Sequence, residues 1–551
     1  MRQDHELLGG GLVARALKNE GVETIFSLSG GHINPIYNGC VTEGIRIIDT
    51  HHEQAAVHAA EGWARFTGRP GVAVATAGPG VVNALPGMAV ASQSAVPLVL
   101  IGGRSSLVRR DMGAMQDMDQ LSLMRPLTKW ARQVYQVERI PEYVAAAFRE
   151  AVSGRPGPVF LEIPVDIMHE KRAPEQVRFP ENYYSRARPC AGEEDITGAV
   201  RLLTEAKRPL ILAGSGVFWS GASDELTGFA ESRRLPVYTR NMGRGTFPED
   251  HELAGGFFPI GLMQADLVLI LGTRLDWTVG YGRPPLLGTA TKTIHVDIEA
   301  SVIGQNRPAT VGLVGDIKAI LRQLERSLDP KKMQIEETWP QTIQVLRQAA
   351  RESAFQGVSP VDGLIHPALL CRELGALLPP ETMLVVDGGD IAGFAVLTME
   401  ARTPASLIWI GAFGHLGVGL PFALAGGLAN PERPVVLLTG DGAFGLSAME
   451  FDTAVRHEVP LTVVIANDGG WGQIRRGQRR DYGRTVGVEL GVTRYDLIAE
   501  TLGGGGAYVE KMAQLQPALE KALGSGGPSC INVKTDPDSG FSGMDLPWKI
   551  N

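Results

Sequence analysis

The sequence predicts an α/β protein made of three doubly wound domains, each built on a parallel sheet. Three observations predict it. Short, apolar, β-rich runs alternate with helix-patterned segments along most of the chain, the signature of parallel strands covered by helices on both faces. Two polar stretches interrupt that alternation and leave three blocks of similar size. The 551 residues also suffice for roughly three or four domains, each able to bury a core.

The first block, residues 1–185, carries the runs TIFSLSG, IRIIDT, GVAVATAG, PLVLIGG and PVFLEIP. The proline-bearing stretch HEKRAPEQVRFPENYYSRARPCAGEED at 169–195 ends it. The second block, 190–345, follows with PLILAGSG, LPVYTR, LVLILGT and TIHVDIE. Residues 327–365 are charged, helix-patterned and then loop-like, and read as a linker. The third block, 365–551, opens at HPALLCRELGALLPP and ends in the Gly/Ser/Pro-rich segment TDPDSGFSGMDLPWKIN.

Bulk composition excludes several function classes. A hydrophobic fraction of 44% with 20% charged residues is that of a globular enzyme, and a net charge of −8 argues against nucleic acid as a partner. Cys40, Cys190, Cys371 and Cys530 lie far apart without metal-ligand spacing, as expected of thiols in a reducing compartment. No apolar run approaches the roughly 18 residues that span a bilayer, and MRQDHELLGG has no signal-peptide core, so a cytoplasmic, membrane-free protein is expected.

The most informative stretch is GDGAFGLSAMEFDTAVRHEVPLTVVIANDGGWG, Gly440 to Gly472. It reads as strand, tight turn, helix from near Ser447, and strand, with Asp441 and Asp468 at the ends of the two strands. Gly440 and Gly442 let backbone approach an anion, and the two carboxylates supply hard oxygen ligands for a divalent cation on that anion. That is a site for a metal diphosphate; the plain alternative is a βαβ unit whose loop acids are solvated.

This stretch resembles the cofactor motif of thiamine diphosphate (ThDP) enzymes, which opens with GDG and closes with NN; here Asp468 replaces the second Asn. The resemblance implies a pyrimidine-binding domain, a middle domain and a diphosphate-binding domain. It further implies ThDP held through Mg2+ between subunits of a homodimer or homotetramer, with Asp441, Asp468 and Gly470 on the metal and Gly440, Gly442 and Ala443 on the cofactor. Glu53, in IIDTHHEQAAVHAAEGWAR, falls where the family has the glutamate that activates the cofactor's aminopyrimidine. Gln116 in MGAMQDMDQ and His32 in SGGHINPIYNGC, with Gly31 beside it, fall where related enzymes point groups at the substrate. In GAFGHLGVGLP, Leu416 matches the residue that bends ThDP, with Gly414 and His415 alongside; Asp390 of DGGD is expected near the diphosphate. Trp471, Gln473 and Ala392 are expected along the substrate channel, and Glu489 is a further candidate acid or base. Val165 and Ala392 stand where benzaldehyde lyase has large pocket residues, and Gly393 is expected to leave added room for substrate.

For the reaction, IIDTHHEQAAVHAAEGWAR and EFDTAVRHEVPL look like benzaldehyde lyase and acetolactate synthase. LGTRLDWTVGYGRPPLL and HVDIEASVIGQNRP look like 2-hydroxyacyl-CoA lyase and oxalyl-CoA decarboxylase, and no RFDDR-like string is present. The reading favours reversible cleavage of a 2-hydroxyacyl-CoA to an aldehyde or ketone plus formyl-CoA. An acetolactate synthase-like or benzaldehyde lyase-like carboligase on free 2-oxoacids or aldehydes is the alternative, and an inactive ThDP-fold binding protein a third. By resemblance the middle domain holds ADP or CoA of the substrate, or FAD, with GSG at 214–216 and Asp297 as candidates, and residues 535–551 form a lid. A nicotinamide enzyme is disfavoured, since no GxGxxG follows a strand with an acid downstream.

Overall fold

A computed structural model describes residues 7–356, 358 and 363–541. Among the described residues the chain forms three all-parallel sheets and one short antiparallel pair, Leu7–Leu8 with Lys171–Arg172. The first sheet runs, in spatial order, Arg46–Asp49, Thr24–Ser27, Gly71–Ala75, Leu98–Arg104, Pro158–Pro164, Trp130–Gln133. The second runs Val237–Thr239, Pro209–Ala213, Leu267–Leu271, Lys292–Asp297, Val311–Val314. The third runs Leu407–Trp409, Met383–Asp387, Val435–Gly440, Thr462–Asn467, Ser529–Lys534, Gly505–Val509. Central strands such as Leu267–Leu271 and Thr462–Asn467 are buried along their whole length, because helices cover both faces.

Each sheet starts at an inner strand, winds outward and then crosses back to grow the other way. The reversal falls between Thr24–Ser27 and Gly71–Ala75, between Pro209–Ala213 and Leu267–Leu271, and between Met383–Asp387 and Val435–Gly440. At such a reversal the loops leaving adjacent strands diverge to opposite faces and open a crevice at the strands' carboxyl ends.

The chain packs as two compact units, each discontinuous in sequence. One comprises residues through Arg186 together with Leu420–Glu432 and Ser447–Leu461; the other comprises Ala187–Gly419, Arg433–Leu446 and the chain from Thr462 onward. In the first unit, Gly62 of the Glu53–Thr67 helix makes room for the backbone of Phe422, and Arg65 lies over the Phe422 ring at 5.1 Å. Glu450 accepts from the His51 amide at 3.0 Å, and His457 meets Asp49 at 2.7 Å, so the Glu450–Arg456 helix is pinned just ahead of Glu53. In the second unit the middle and third sheets share buried contacts. Arg244 and Glu249 pair in the interior, and Glu249 accepts from the Ala401 amide at 2.8 Å.

Two expectations change. Residues 327–365 are not simply a linker: the Trp339–Ser353 helix buries Trp339 and Ile343 among Leu210, Leu212, Val268 and Ile270, and the Trp339 indole donates to the Pro209 carbonyl at 2.7 Å. Its charged outer face hid that apolar edge. The helix expected from near Ser447 begins three residues later, at Glu450, and a five-residue helix precedes it at Asp441.

His295, in the central Lys292–Asp297 strand, is 1% exposed, its Nε2 has no hydrogen-bond partner, and burial holds the imidazole down to about 4. The unfolded chain therefore takes up a proton that the fold refuses as pH falls from the ordinary value near 6.5 toward 4. Acidification across that window is expected to remove about 3 kcal/mol of stability. Thermal unfolding at pH 7 and pH 5 checks this, with His295→Leu flattening the pH dependence.

Candidate active site

The first group of site residues lies in the first unit, at the reversal point of its sheet. The loop after Ser27 brings His32, and the loop after Ala75 brings Thr76, which approaches His32 Nδ1 at 3.4 Å. His32 also hydrogen-bonds Gln116; burial lowers the imidazole pKa and the Gln116 bond partly offsets it, so the ring is neutral near pH 7. Glu53 opens its helix, is 5% exposed, and accepts from Asn83 Nδ2 at 3.0 Å. A Cβ at Gly80 would stand 3.2 Å from Glu53 Oε1, so glycine there keeps the carboxylate unobstructed. Gly78 has φ +60, and a Cβ on it would press on the Gln116 carbonyl at 2.6 Å. Glu53, His32 and Gln116 are thus gathered around one turn, Thr76–Asn83, with Gly31 exposed beside His32.

Sequence reasoning missed the supports of that turn. Asn83 holds Glu53, but an asparagine inside a helix gives no signal until the turn folds. Gln120, 1% exposed, accepts from the Gly78 amide at 2.6 Å and donates to the Gly103 carbonyl at 3.0 Å and to Glu162 at 2.8 Å. Arg104 completes the set on Glu162 at 2.9 Å.

The second group lies in the second unit, at the reversal point of the third sheet, around a cavity of about 320 Å³. Gly440, Asp441, Gly442, Ala443, Asp468 and Gly470 line one side of it. Asp441 is 3% exposed and its Oδ2 has no hydrogen-bond partner. Burial and the neighbouring charge of Asp468 push its carboxyl well above the ordinary carboxylate range. Asp468 is raised as well, by burial, although Arg475 pulls it down. A buried carboxylate with an unsatisfied oxygen beside a half-buried like charge is what a divalent cation relieves. Among the described residues no group of three or more His, Cys, Asp or Glu side chains forms a complete metal cage, so remaining ligands must come from backbone and from the bound anion's oxygens. The residues fit a metal diphosphate.

Leu416 and Gly414 also line the cavity, and Gly414 has φ +69, a left-handed turn that glycine permits. Asp387 holds this loop from below, accepting from the Gly417 amide at 2.9 Å and the Gly419 amide at 2.8 Å; burial pushes its carboxyl up to about 6. His415 is not among the lining residues, and its ring contacts the Leu416 carbonyl at 2.8 Å. Asp390 lines the cavity, where its carboxylate pairs with Arg476 and accepts from the Phe541 amide at 3.0 Å. Trp471, Gln473 and Ala392 line the cavity. Glu489, with a side chain 61% exposed, binds Arg475 at 2.9 Å on the outer side. Gly393 does not leave substrate room: a Cβ there would strike the Phe541 ring, which fills the space.

Apolar side chains also line the cavity, partly from the middle block, Phe257, Phe258, Trp277, Trp409, Ile410 and Phe541, with Arg240 among them. Phe541 packs on Phe394 at 5.2 Å and stacks on Phe258 at 6.2 Å, and Thr535, Ser539 and Phe541 line the cavity; residues 542–551 of the expected lid segment lie outside the described residues. The GSG turn packs its glycines against the Gly272–Thr273 backbone, and Asp297 accepts from the Glu299 amide at 2.9 Å.

Three family models match in chain order: the N-terminal TPP binding domain of thiamine pyrophosphate enzymes over residues 8–123, their central domain over 196–324 and their C-terminal TPP binding domain over 387–533. Each match falls on one of the three sheets, the first ending before the strands Trp130–Gln133 and Pro158–Pro164. A probable acetolactate synthase of Mycobacterium bovis is 39% identical over 536 residues, covering 97% of this chain and 96% of the relative. Human 2-hydroxyacyl-CoA lyase 2 is 34% identical over 576 residues, covering 95% and 89%, and the zebrafish enzyme of that name is 34% identical over 565 residues, covering 93% and 89%. With a buried glutamate in one unit, an aspartate pair suited to a metal diphosphate in the other, and family matches along nearly the whole length, the chain belongs to the thiamine pyrophosphate enzyme family as a ThDP-dependent carbon–carbon lyase or transferase.

Proposed function

We propose that the protein is a Mg2+- and ThDP-dependent lyase and carboligase that reversibly cleaves a 2-hydroxyacyl-CoA to an aldehyde or ketone and formyl-CoA. The observation that carries this reading is the cavity itself, which runs from the Gly440–Ala443 turn to the aromatic wall of Phe257, Phe258, Trp277 and Trp409. Its aromatic residues suit an apolar acyl part beside the cofactor, and Arg240 on the same lining suits an anionic group. The identity to human 2-hydroxyacyl-CoA lyase 2 supports the same class.

Bound ThDP supplies a nucleophilic carbon and an electron sink for the carbon–carbon bond beside a carbonyl. The chain's own groups divide the remaining work. Asp441, Asp468 and the Gly470 backbone would hold the cation and, through it, the diphosphate. Leu416, on the loop fixed by Asp387, would pack against the bound cofactor. Glu53, kept in place by Asn83, would hold and exchange a proton at the cofactor's aminopyrimidine. Neutral His32 and Gln116 orient the substrate hydroxyl and move its proton.

The 39% identity to the mycobacterial acetolactate synthase favours a second reading, carboligation of free 2-oxoacids. Incubation with a medium-chain 2-hydroxyacyl-CoA, or in parallel with pyruvate, separates the two. Release of aldehyde and formyl-CoA is expected. Acetolactate from pyruvate without cleavage of the CoA ester would replace the first reading by the second. Chelation with EDTA is expected to release ThDP, read by cofactor fluorescence after gel filtration; full retention would contradict the metal-bridged site.

A further inference from the structure

We propose that Arg475 is a built-in counter-charge for the metal site: it neutralises Asp468, so that Asp441, Asp468 and Arg475 together present net −1 to the cation and its diphosphate. The proposal rests on the reading that Asp441 and Asp468 hold the cation. Arg475 belongs to the Gly472–Tyr482 helix, whose sequence GQIRRGQRRDY looks like a solvated basic face. Yet Arg475 is 5% exposed. Its Nη2 donates to Asp468 Oδ2 at 2.9 Å, to the Asp468 carbonyl at 3.2 Å and to the Pro537 carbonyl at 3.3 Å. Its Nη1 donates to Glu489 at 2.9 Å. Glu489 is largely in water, where an ion pair contributes little, so the guanidinium charge acts mainly inward, on Asp468.

Geometry supports a designed pairing. A Cβ at Gly472 would collide with Asp468 Oδ2, so the position is kept free for that carboxylate. Asp468 Oδ1 accepts from the Gly470 amide at 3.3 Å, leaving its remaining valence for a cation. The next arginine, Arg476, pairs with Asp390 on the same cavity. Consecutive arginines thus each cancel one cavity carboxylate, and Asp441 remains as the uncompensated one. A guanidinium suits the task, since it stays charged when buried and holds a carboxylate in a fixed plane.

The test is calorimetric titration of ThDP in the presence of Mg2+ into full-length protein stripped of metal and cofactor. Asp468→Asn leaves Arg475 with only the water-exposed Glu489 as counter-ion, and Arg475→Met takes the guanidinium away from Asp468; each is expected to weaken binding about tenfold, whereas the double variant is expected to lose clearly less than the product of the two losses. Arg475→Lys is expected close to the parent. Losses that multiply in the double variant, to about a hundredfold, would overturn the compensation. If Arg475→Met does not fold, the comparison of Asp468→Asn with the double variant decides: recovery supports the proposal, and equal or weaker binding overturns it. Asp441→Asn distinguishes loss of the cation site from loss of the counter-charge. Unchanged Mg2+-dependent binding in that variant would sink the metal-site reading itself, whereas its loss alongside multiplying effects at 468 and 475 would sink only the counter-charge.

Discussion

Glu53→Gln is expected to lower turnover by about 10²- to 10⁴-fold, the usual contribution of a positioned acid or base, while ThDP and Mg2+ still bind within a few-fold of the parent. The substitution keeps size and hydrogen-bonding reach, so Asn83 retains a partner at the position where it now donates at 3.0 Å, and the helix start is preserved. What is lost is the ability to exchange a proton. Single-turnover kinetics with the CoA ester, beside calorimetry of cofactor binding, reads the two effects apart. Turnover near that of the parent would remove Glu53 from the chemistry, and loss of cofactor binding with loss of fold would reassign it to structure. Asn83→Ala is expected to lower kcat less, since it frees the carboxylate without abolishing it.

Glu249→Ala is expected to cost about 3–5 kcal/mol, the penalty for breaking a buried ion pair from one side. Glu249 is 4% exposed and accepts from Arg244 Nε at 2.8 Å, Thr239 Oγ1 at 2.8 Å and the Ala401 amide at 2.8 Å. Arg244, itself 2% exposed, also donates to the Met399 carbonyl at 2.8 Å. Removal of the carboxylate strands a buried guanidinium and frees an amide of the third block at the same time. Scanning calorimetry is expected to show a transition lowered by several degrees. The Arg244→Ala, Glu249→Ala double variant is expected to lose less than the sum of the single changes, because no charge is left unpaired. Equal, additive losses would mean that the pair serves only as packing.

Much of this was legible in the chain. VVLLTG and LTVVIA are buried strands ending at Gly440 and Asn467, and Asp441 and Asp468 face one cavity because adjacent parallel strands put their carboxyl ends together. Glu53, His32 and Gln116 were readable by resemblance, and they meet around one turn. Other parts could not be read. The strands Trp130–Gln133 and Val311–Val314 are short sheet edges with mixed exposure, so no uninterrupted apolar run marks them. Arg475 stands in the basic run GQIRRGQRRDY, which gives no sign of its burial, because Glu489 and Pro537 reach it from farther along the chain. Gly393 looked like spare volume because the ring that fills it, Phe541, lies far along the chain. Partners distant in sequence, brought in by loops, are what single-chain patterns do not encode.

The cofactor stretch from Gly440 to Gly472 is itself divided. Gly440–Leu446 and Thr462–Gly472 pack in one unit, while Ser447–Leu461 packs in the other and ties Glu450 to His51, two residues before Glu53. The polypeptide is therefore sewn through both bodies rather than strung as beads, and no cut at a single linker yields two self-sufficient pieces. A fragment ending at Arg186 would bare the groove around Gly62 that Phe422 now fills. Its complement would carry two helices without their seats. Proteolytic nicking or gene fission at that boundary is therefore expected to leave neither piece with its full packing.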